Sequence, residues 1–426
     1  MTSSEPVTNI RLSSVAPGKL TGNDAVREAT AMDIAMKLHY ITTVHFFSND
    51  ACEGMTNSTI KDSFFYLCTE FSNICGRFRR DPTGRPYMKC NDAGVRFVEA
   101  ESARTLNEWL SPADFSSFSS LVYHLPLGPN LAFSPPCFIQ ITNMKCGGMA
   151  LGLSFAHVLG DAFSLARILE RLSPYLAGSR EFVPPIEDVV TRRIPTGKEL
   201  KTARSIQEVQ LSERDHWKVE HSRKMKEIFL VLSCSQAEDL VAAVYGRRDS
   251  SFFHAICAVT WRCIARVRVR EPEIVTICKR RTTTGRSVGN FTSIRTAKAE
   301  MTVTETPLNE LAEVLAGNAV SENDAVTDVV EDNGGVNDYI VYGANLTFVN
   351  FEDAGFDLFT INGYSAENVY CGVRQVGELG TMWVQRWMAN GDDDGKLVTI
   401  VVPEDEVTVL TSELSQHMSI DDWFSF

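Results

Sequence analysis

The sequence predicts an α/β protein of two domains, and three observations support this prediction. The chain has 426 residues, more than one ordinary hydrophobic core accommodates. Patterns typical of strands and helices alternate in both halves. Between the halves, residues 178–222 lose this periodicity and include a Pro-Pro pair. We therefore predict an N-terminal domain over residues 1–177, a crossover linker over 178–222 and a C-terminal domain over 223–426, with one late strand allowed to pair with the N-terminal domain.

The N-terminal half shows a helix pattern followed by strand patterns. In "TIKDSFFYLCTEFSNICG", apolar residues recur at three- and four-residue steps between Ile60 and Ile74, which predicts an amphipathic helix ended by Gly76. "GVRFVEA" alternates as a strand does. "CFIQITNMK" and "MALGLSF" predict the two strands of a hairpin, and the apolar spacing after Asp161 predicts a helix.

The C-terminal half repeats this alternation. "EIFLVLSCS" predicts a strand, "SQAEDLVAAVYG" a helix with Ser235 as its N-cap, and "SSFFHAICAVTWRCIARVRV" a long, largely buried helix. "ANLTFVNF", "TMWVQRWM" and "KLVTIVV" predict strands, with the turn "NGDDDG" before the last of them. A helix over "PEDEVTVLTSELSQHM" closes the pattern. The acidic stretch "SENDAVTDVVEDNGGVND" predicts a solvated insertion.

Composition and charge exclude several classes of function. A formal net charge of −13 opposes a broad phosphate-binding face, so we expect no nucleic-acid partner. The longest uncharged run is shorter than the ~18–20 apolar residues of a membrane span, so we expect no transmembrane segment. The first residues lack the basic start and apolar core of a signal peptide. Eleven cysteines without a C-x-x-C pair predict reduced thiols and no metal site.

The stretch "SFAHVLGDAFS" carries the candidate catalytic residue. His157 follows a predicted buried strand, and Asp161 is well placed as the N-cap of the next helix. A neutral imidazole at a strand end could remove a proton from a hydroxyl or amine that attacks a thioester. The same pattern also suits a buried histidine of the core. A second H-x-x-x-D match at His417 follows the last predicted helix and lacks a preceding strand.

Four arginines cluster around one predicted turn in an otherwise acidic chain. They occupy positions 77, 79, 80 and 85, within "RFRRDPTGRPY". Such a cluster could bind coenzyme A phosphates or anionic lipid headgroups. An exposed basic loop without a ligand is the simpler interpretation.

Several landmarks together resemble the plant BAHD acyltransferases. They are the H-x-x-x-D after a hairpin, the helix that ends in "GRF", and "CKRRTTTGRSVGN", in the family's order. The resemblance implies two chloramphenicol-acetyltransferase-like domains, each a mixed β-sheet with helices, and a channel at the domain interface. It also implies that His157 acts as general base in acyl transfer from coenzyme A thioesters to alcohols or amines. By the same resemblance, Asp161 gives structural support to the histidine loop, through a salt bridge to Arg280.

Longer blocks are similar to one branch of that family, the eceriferum-2 and glossy-2 proteins. They include "NIRLSSVAPGKLTG", "TAMDIAMKLHYITTVHFF", "YMKCNDAGVRFVEA", "FIQITNMKCGGMALGLSFAHVLGD" and "DYIVYGANLTFVNFEDAGF". Proteins of this branch act in cuticular wax synthesis, where they allow fatty-acid elongation to reach the longest chains together with a ketoacyl-CoA synthase.

Two departures from the working acyltransferases put catalysis in question. Where those enzymes carry D-F-G-W-G, this chain has "FTING", and only Gly363 fits. Where the family has glycine after the aspartate of H-x-x-x-D, this chain has Ala162. A Cβ at that position removes easy access to positive φ.

The resemblance leads to one expected function and one alternative. We expect an accessory protein of very-long-chain fatty-acid elongation for cuticular wax, which extends the product chain length of a ketoacyl-CoA synthase. We expect it as a peripheral protein on the cytosolic side of the endoplasmic reticulum, with the cytosol and nucleus as further candidate locations. The alternative is an acyl-CoA-dependent O- or N-acyltransferase with His157 as general base. Long-chain acyl-CoA is a candidate substrate or ligand, no covalently bound cofactor is expected, and the sequence does not identify cofactor-binding residues.

Overall fold

A computed structural model describes residues 6–22, 24–111, 115–184, 202–281, 288–388, 395–418 and 424–425. The strands are β1 (Thr8–Val15), β2 (Val26–Glu28), β3 (Tyr40–Phe47), β4 (Arg77–Arg80), β5 (Pro86–Lys89), β6 (Val95–Ser102), β7 (Cys137–Met144), β8 (Met149–Ala156), β9 (Gln207–Val209), β10 (Met225–Leu232), β11 (Ile274–Lys279), β12 (Ser293–Lys298), β13 (Val320–Ser321), β14 (Asp338–Ile340), β15 (Leu346–Asn350), β16 (Thr360–Ile361), β17 (Tyr364–Ser365), β18 (Asn368–Arg374), β19 (Thr381–Arg386), β20 (Lys396–Pro403) and β21 (Phe424–Ser425). The helices are α1 (Ala31–Ala35), α2 (Asn57–Glu70), α3 (Leu106–Leu110), α4 (Ala162–Leu176), α5 (Cys234–Tyr245), α6 (Phe252–Val267), α7 (Leu308–Gly317), α8 (Asn323–Asp332) and α9 (Glu404–Met418).

The first large sheet is mixed and has the order β1-β6-β7-β8-β3-β18. β7 and β8 form the predicted antiparallel hairpin, and β6 pairs with β7 in parallel. β8 is buried along its whole length because α2 and α4 cover one face of the sheet, and α4 supplies a row of apolar side chains to that core. β18 comes from the C-terminal half of the chain and pairs antiparallel with β3. This sheet therefore joins the two halves of the sequence.

The second large sheet has the order β13-β12-β11-β15-β19-β20-β10-β21. Its centre is parallel, because β15 pairs in parallel with both β11 and β19. The long helix α6 packs on it together with α7 and α9, and twelve of the sixteen α6 residues are buried. The predicted strands and helices of this half are confirmed, apart from the "NGDDDG" turn, which lies largely outside the described residues.

One helix cap differs from the sequence prediction. The N-cap of α5 is Ser233, whereas we predicted Ser235. Ser233 Oγ accepts from the backbone N–H of Gln236, and the Gln236 side chain bonds back to the Ser233 N–H. This reciprocal arrangement satisfies two N–H groups at the helix start, which a cap two residues later could not do with the same partner.

The acidic stretch that we predicted as a solvated insertion instead forms a packed helix, so that prediction is wrong. α8 buries Ala325, Val326 and Val330 and packs against α1 of the N-terminal half. Val326 and Val330 are four residues apart and lie on one helix face, while Asp324, Asp328 and Asp332, which are also four residues apart, lie on the other face. The high charge density concealed this short amphipathic pattern.

The arginine cluster is likewise not an exposed basic loop. Arg77 is buried and donates to the carbonyl oxygens of Gly76 and Gly94 at 2.7 and 3.0 Å, and burial lowers its pKa to about 10. Arg80 pairs with Asp215 at 2.6 Å. These guanidinium groups therefore hold the fold together and are not free for phosphates.

Two buried ion pairs connect the region of α8 and β14 to the N-terminal half. Arg85 makes a bidentate contact with Glu331 of α8 at 2.8 and 2.9 Å, with side-chain exposures of 2% and 7%. Lys37 is fully buried, contacts Asp338 at 2.8 Å and donates to the Asn337 carbonyl at 2.7 Å. Burial lowers the pKa of Lys37, whereas Asp338 opposes that shift. Desolvated pairs of this kind tolerate little displacement because separation leaves a buried charge.

The C-terminal end of the predicted linker packs into the hydrophobic core of the first large sheet. Trp217 is fully buried against Phe78, and its carbonyl accepts from the Tyr40 hydroxyl at 2.9 Å. Residues 185–201 of the linker lie outside the described residues. In the part of the chain that is described, no helix is long and apolar enough to cross a membrane.

We predict that Arg85→Met destabilises the protein by about 3–5 kcal/mol, because it leaves the Glu331 carboxylate buried without its cation. Urea unfolding measures this change. The matched control is Arg248→Met, which removes a 59% exposed arginine paired with Glu238 and Asp239 and should cost less than about 1 kcal/mol. Equal losses for the two variants would contradict the clamping role of Arg85.

Candidate functional site

His157 lies at the end of β8, in a short 3₁₀ turn that separates this strand from α4. Its side chain is fully buried. The backbone N–H of His157 donates to the carbonyl of His39 at 3.0 Å, which ties the turn to the residue that precedes β3. The strand-to-helix setting predicted from the sequence is therefore confirmed, and the imidazole points into protein rather than into solvent.

The Nε2 atom of His157 contacts the hydroxyl oxygen of Tyr342 at 3.0 Å. Tyr342 lies between β14 and β15, in the C-terminal half, and its side chain is 1% exposed. The two ring centroids are 5.5 Å apart. Among the described residues, His157 Nδ1 has no hydrogen-bond partner. Nε2, one of the two ring nitrogens that could accept a substrate proton, is therefore already engaged by a phenol.

A second buried histidine fixes the position of Tyr342. His39 Nδ1 lies 2.9 Å from the Gln375 carbonyl, and its Nε2 accepts from the backbone N–H groups of Val341 and Tyr342 at 2.9 and 3.3 Å. These contacts require a neutral ring with its proton on Nδ1. Burial, together with a smaller effect of nearby His157, lowers the pKa of His39 to about 3. Tyr342 also packs edge-on against this ring, with centroids 5.0 Å apart.

Asn290 connects the histidine turn to the N-terminal helix α1. Its Nδ2 donates to the His157 carbonyl and to the carboxylate of Asp33, each at 2.8 Å. Asp33 is fully buried, bonds to the backbone N–H of Thr30 as part of a capping box, and faces Arg27 at 3.4 Å. The last residue of the "CKRRTTTGRSVGN" block, Asn290, thus contacts the histidine turn directly.

Asp161 is the N-cap of α4 and is almost fully buried. Its carboxylate accepts from the backbone N–H groups of Ser164 and Phe291, at 2.9 and 2.8 Å, and from the Thr292 hydroxyl at 3.1 Å. The Asp161 N–H in turn donates to the carbonyl of Gly289 at 3.1 Å. Asp161 therefore joins the start of α4 to the segment from Gly289 to Thr292.

The salt bridge expected between Asp161 and Arg280 does not form. Arg280 is exposed, and its guanidinium donates to the Asp353 carbonyl at 3.0 Å. Three hydrogen-bond donors, two of them backbone N–H groups, satisfy the Asp161 carboxylate without a cation. Hydrogen bonds from donors fixed by the fold can stabilise a buried carboxylate in the way a salt bridge would.

The protonation state of His157 suits a general base, but the Tyr342 side chain blocks access to its Nε2 atom. Burial lowers the pKa of His157, and the charge of Asp161 opposes this shift, so the ring is neutral at physiological pH. Burial raises the pKa of the Tyr342 phenol well above its ordinary value, so the hydroxyl keeps its proton. An acceptor substrate could approach Nε2 only after Tyr342 moved away.

The two sequence departures have local explanations. Ala162 is the first residue of α4, where the backbone is helical, so no positive φ is needed and alanine is unstrained; our concern about its backbone was misplaced. Asn362 and Gly363 have φ of 51° and 82° and form the two-residue turn between β16 and β17. Such type I′ turns favour Asn-Gly. "FTING" therefore encodes a hairpin of its own.

The sequence did not identify Tyr342 or His39 as site residues. Both lie within blocks that resemble the eceriferum branch, but neither has a catalytic spacing pattern. The second H-x-x-x-D match cannot be assessed, since Asp421 lies outside the described residues. Among the residues that are described, no group of three histidine, cysteine or acidic side chains could hold a metal ion.

Comparisons with known proteins agree with the fold and with the family resemblance found in the sequence. The family model described as the Transferase family matches residues 6–290. Protein ECERIFERUM 26 of Arabidopsis thaliana is 34% identical over 411 residues, which cover 94% of each chain. Protein ECERIFERUM 2 of the same plant is 32% identical over 429 residues, covering 96% of this chain and 98% of that one.

Solved structures share the fold at low sequence identity. Vinorine synthase superposes with a TM-score of 0.70 at 16% identity, covering 97% of this chain and 98% of that one. TRI101 of F. graminearum, solved in complex with ethyl coenzyme A, gives a TM-score of 0.66 at 13% identity over 94% of this chain and 99% of that one. The chain thus shares its mixed α/β architecture with these two proteins.

We predict that Asp161→Ala destabilises the protein by roughly 2–4 kcal/mol. The substitution removes a helix cap and leaves the Phe291 N–H and the Thr292 hydroxyl without their acceptor. Thermal or urea unfolding measures the loss. Ser233→Ala is the matched control, since it removes the cap of α5 alone and should cost about 1 kcal/mol. If Asp161→Ala cost no more than Ser233→Ala, the bonds to Phe291 and Thr292 would contribute nothing.

Acid should destabilise the protein through its buried histidines. The pKa values of His39, His45 and His124 are lowered to about 3 by burial. Unfolded histidine binds a proton near pH 6.5, whereas the folded groups resist until about pH 3, so stability falls as pH drops through that window. Neither ring nitrogen of His45 has a partner among the described residues. We predict that His45→Leu loses about 2 kcal/mol less than wild type between pH 7.5 and 5, by urea unfolding at each pH. Identical pH dependence would disprove this.

Proposed function

The chain belongs to the Transferase family, the plant BAHD acyltransferases, and on that basis we propose that it acts as an accessory protein of very-long-chain fatty-acid elongation. In this role it binds a ketoacyl-CoA synthase and extends the chain length of the product, for cuticular wax synthesis. It acts as a peripheral protein on the cytosolic face of the endoplasmic reticulum. Acyl transfer at His157 is not part of this function.

The contact between His157 Nε2 and the Tyr342 hydroxyl carries the proposal. General-base catalysis requires the base within hydrogen-bond reach of the substrate proton, about 2.6–3.2 Å. Here the Tyr342 hydroxyl lies within that distance of His157 Nε2, in the place that a substrate hydroxyl or amine would take, and both side chains are buried. His39 holds the backbone of Tyr342, so the phenol is part of the packed core rather than a loose lid.

Sequence kinship supports the same conclusion. Identity to ECERIFERUM 26 and ECERIFERUM 2 extends over 94% and 96% of this chain, far beyond the histidine motif. The chain also lacks D-F-G-W-G and uses the corresponding residues for the β16–β17 hairpin. The similarity to this branch over nearly the whole chain favours a role that depends on binding surfaces rather than on the catalytic histidine. The absence of D-F-G-W-G favours the same role.

Physically, an accessory protein can alter product length only by binding one state of its partner better than another. Stable binding of the condensing enzyme requires an interface above ~1,000 Å². Long-chain acyl-CoA is the ligand class that both proteins would share, and solved neighbours of the same fold bind coenzyme A.

An acyltransferase function is the second candidate, and one observation favours it. The loop around His157 keeps an intact supporting network of Asp161, Asn290 and Asp33, and its imidazole is neutral. In this alternative, Tyr342 moves aside when an acyl-CoA and an acceptor enter between the two halves of the chain.

We predict that His157→Ala still lengthens the fatty acids made by a plant ketoacyl-CoA synthase in yeast. The measurement is the fatty-acid chain-length profile of cells that co-express the synthase with wild type, with His157→Ala or with no accessory protein. The surface variant His216→Ala is the matched control for expression. Immunoblots must show equal protein amounts, because His157 is a buried residue.

Loss of lengthening in His157→Ala, with the variant folded, equally abundant and bound to the synthase, would contradict the proposal and favour the acyltransferase. A wild-type protein that fails to associate with any ketoacyl-CoA synthase in a pull-down would remove the partner from the account.

A further inference from the structure

A cavity of about 240 Å³ lies between the end of β15, β18 and the end of β19. Most of its wall is apolar. The apolar and aromatic lining residues that form the wall are Phe351, Ala354, Phe356, Val369, Cys371 and Trp387. None of the residues of the histidine site lines it. The cavity is therefore separate from the histidine site. β18, the strand that joins the two halves, forms part of its wall.

The polar side chains in the wall are already hydrogen-bonded. Gln385 Oε1 accepts from the Cys371 N–H at 2.9 Å, and its Nε2 donates to the Val369 carbonyl at 2.5 Å. Asn368 exchanges two hydrogen bonds with the backbone of Met388, at 2.8 and 3.1 Å. Because these amides are committed to the backbone, the interior favours an apolar occupant over one that needs hydrogen bonds.

The charged groups in and near the mouth are of both signs. Glu352 pairs with Lys396 at 3.0 Å. Arg386 is 58% exposed and lies 3.9 Å from Asp353, and Asp357 is also exposed. The mouth therefore presents both signs of charge to solvent and does not select a headgroup by net charge.

Exposed apolar side chains occur on the lining segments and next to lining residues in the sequence. Met388 lines the cavity and is 36% exposed. Leu358 and Tyr364 directly adjoin the lining residues Asp357 and Ser365 in the chain, and they are 55% and 52% exposed. Large exposed apolar residues grouped around an apolar cavity indicate a binding site rather than scattered surface residues.

We propose that this cavity binds a segment of the hydrocarbon part of a long, unbranched acyl chain. The chain is supplied either as a free fatty acid or as its coenzyme A thioester, and its headgroup remains outside the cavity. This inference rests on the proposed function in its choice of ligand class, because elongation substrates are long acyl chains. It assigns the chain to a site that does not include His157.

The test measures binding of radiolabelled stearate and stearoyl-CoA to the full-length protein by equilibrium dialysis, below their micelle concentrations. Val369→Phe places a larger side chain into the cavity from β18. Val320→Phe is the matched control, since Val320 is 64% exposed on the edge strand β13. Ala366→Phe, at a half-buried loop residue of the lining, is a second filling variant in case the strand variant does not fold.

We expect about one chain bound per protein, a loss of at least about tenfold in affinity in Val369→Phe and Ala366→Phe, and wild-type affinity in Val320→Phe. Binding of both probes identifies the chain as the recognised group, and binding of stearate alone identifies the free acid as the source. Coenzyme A without an acyl chain should not compete.

Three results would overturn the inference: no binding of either probe, equal binding by folded filling variants and control, or binding of stearoyl-CoA alone that free coenzyme A abolishes. The co-expression experiment separates this inference from the proposed function. If the protein lengthens the fatty acids but binds no acyl chain, the cavity proposal is wrong and the proposed function stands. If it binds the chain but does not lengthen the fatty acids, the cavity proposal stands and the proposed function is wrong.

Discussion

The hydrogen bond between Tyr342 and His157 depends on a constraint that spans the molecule, namely the docking of the segment from α8 to β15 onto the N-terminal half. Arg85 holds Glu331 and Lys37 holds Asp338, so the backbone enters the core at a fixed position. His39 then binds two successive backbone N–H groups of the incoming chain. With this segment clamped at both points, the Tyr342 phenol meets Nε2. The closed histidine site is a consequence of packing rather than of a single substitution.

The residues that surround His157 make structural contacts between distant parts of the chain. Asp161 and Asn290 tie the histidine turn to α4, to α1 and to the segment after β11. These contacts hold together parts of the chain that lie more than 100 residues apart. Their retention is thus compatible with a protein that has kept the family's architecture and uses it as a scaffold for binding.

Local patterns in the sequence predicted most strands and helices, because periodic burial depends on residues close together in the chain. The β7–β8 hairpin and the buried helix α6 are examples. The prediction failed where distant partners decide. Arg85 is buried because it pairs with Glu331, which lies 246 residues later in the chain. The helix α8 is buried on one face because it packs against α1. Of the candidate site, His157 and its strand-to-helix setting could be read from the motif. Tyr342 could not, since its contact with His157 joins residues 185 positions apart.

The central claim is that the protein works without using His157 as a base, and coenzyme A release tests it most directly. Purified protein is incubated with stearoyl-CoA and a long-chain alcohol, and free coenzyme A is measured over many equivalents for wild type and His157→Ala. The account predicts the same slow release for both proteins as in the absence of protein. Sustained release by wild type that disappears in folded His157→Ala would contradict the account and establish an acyltransferase.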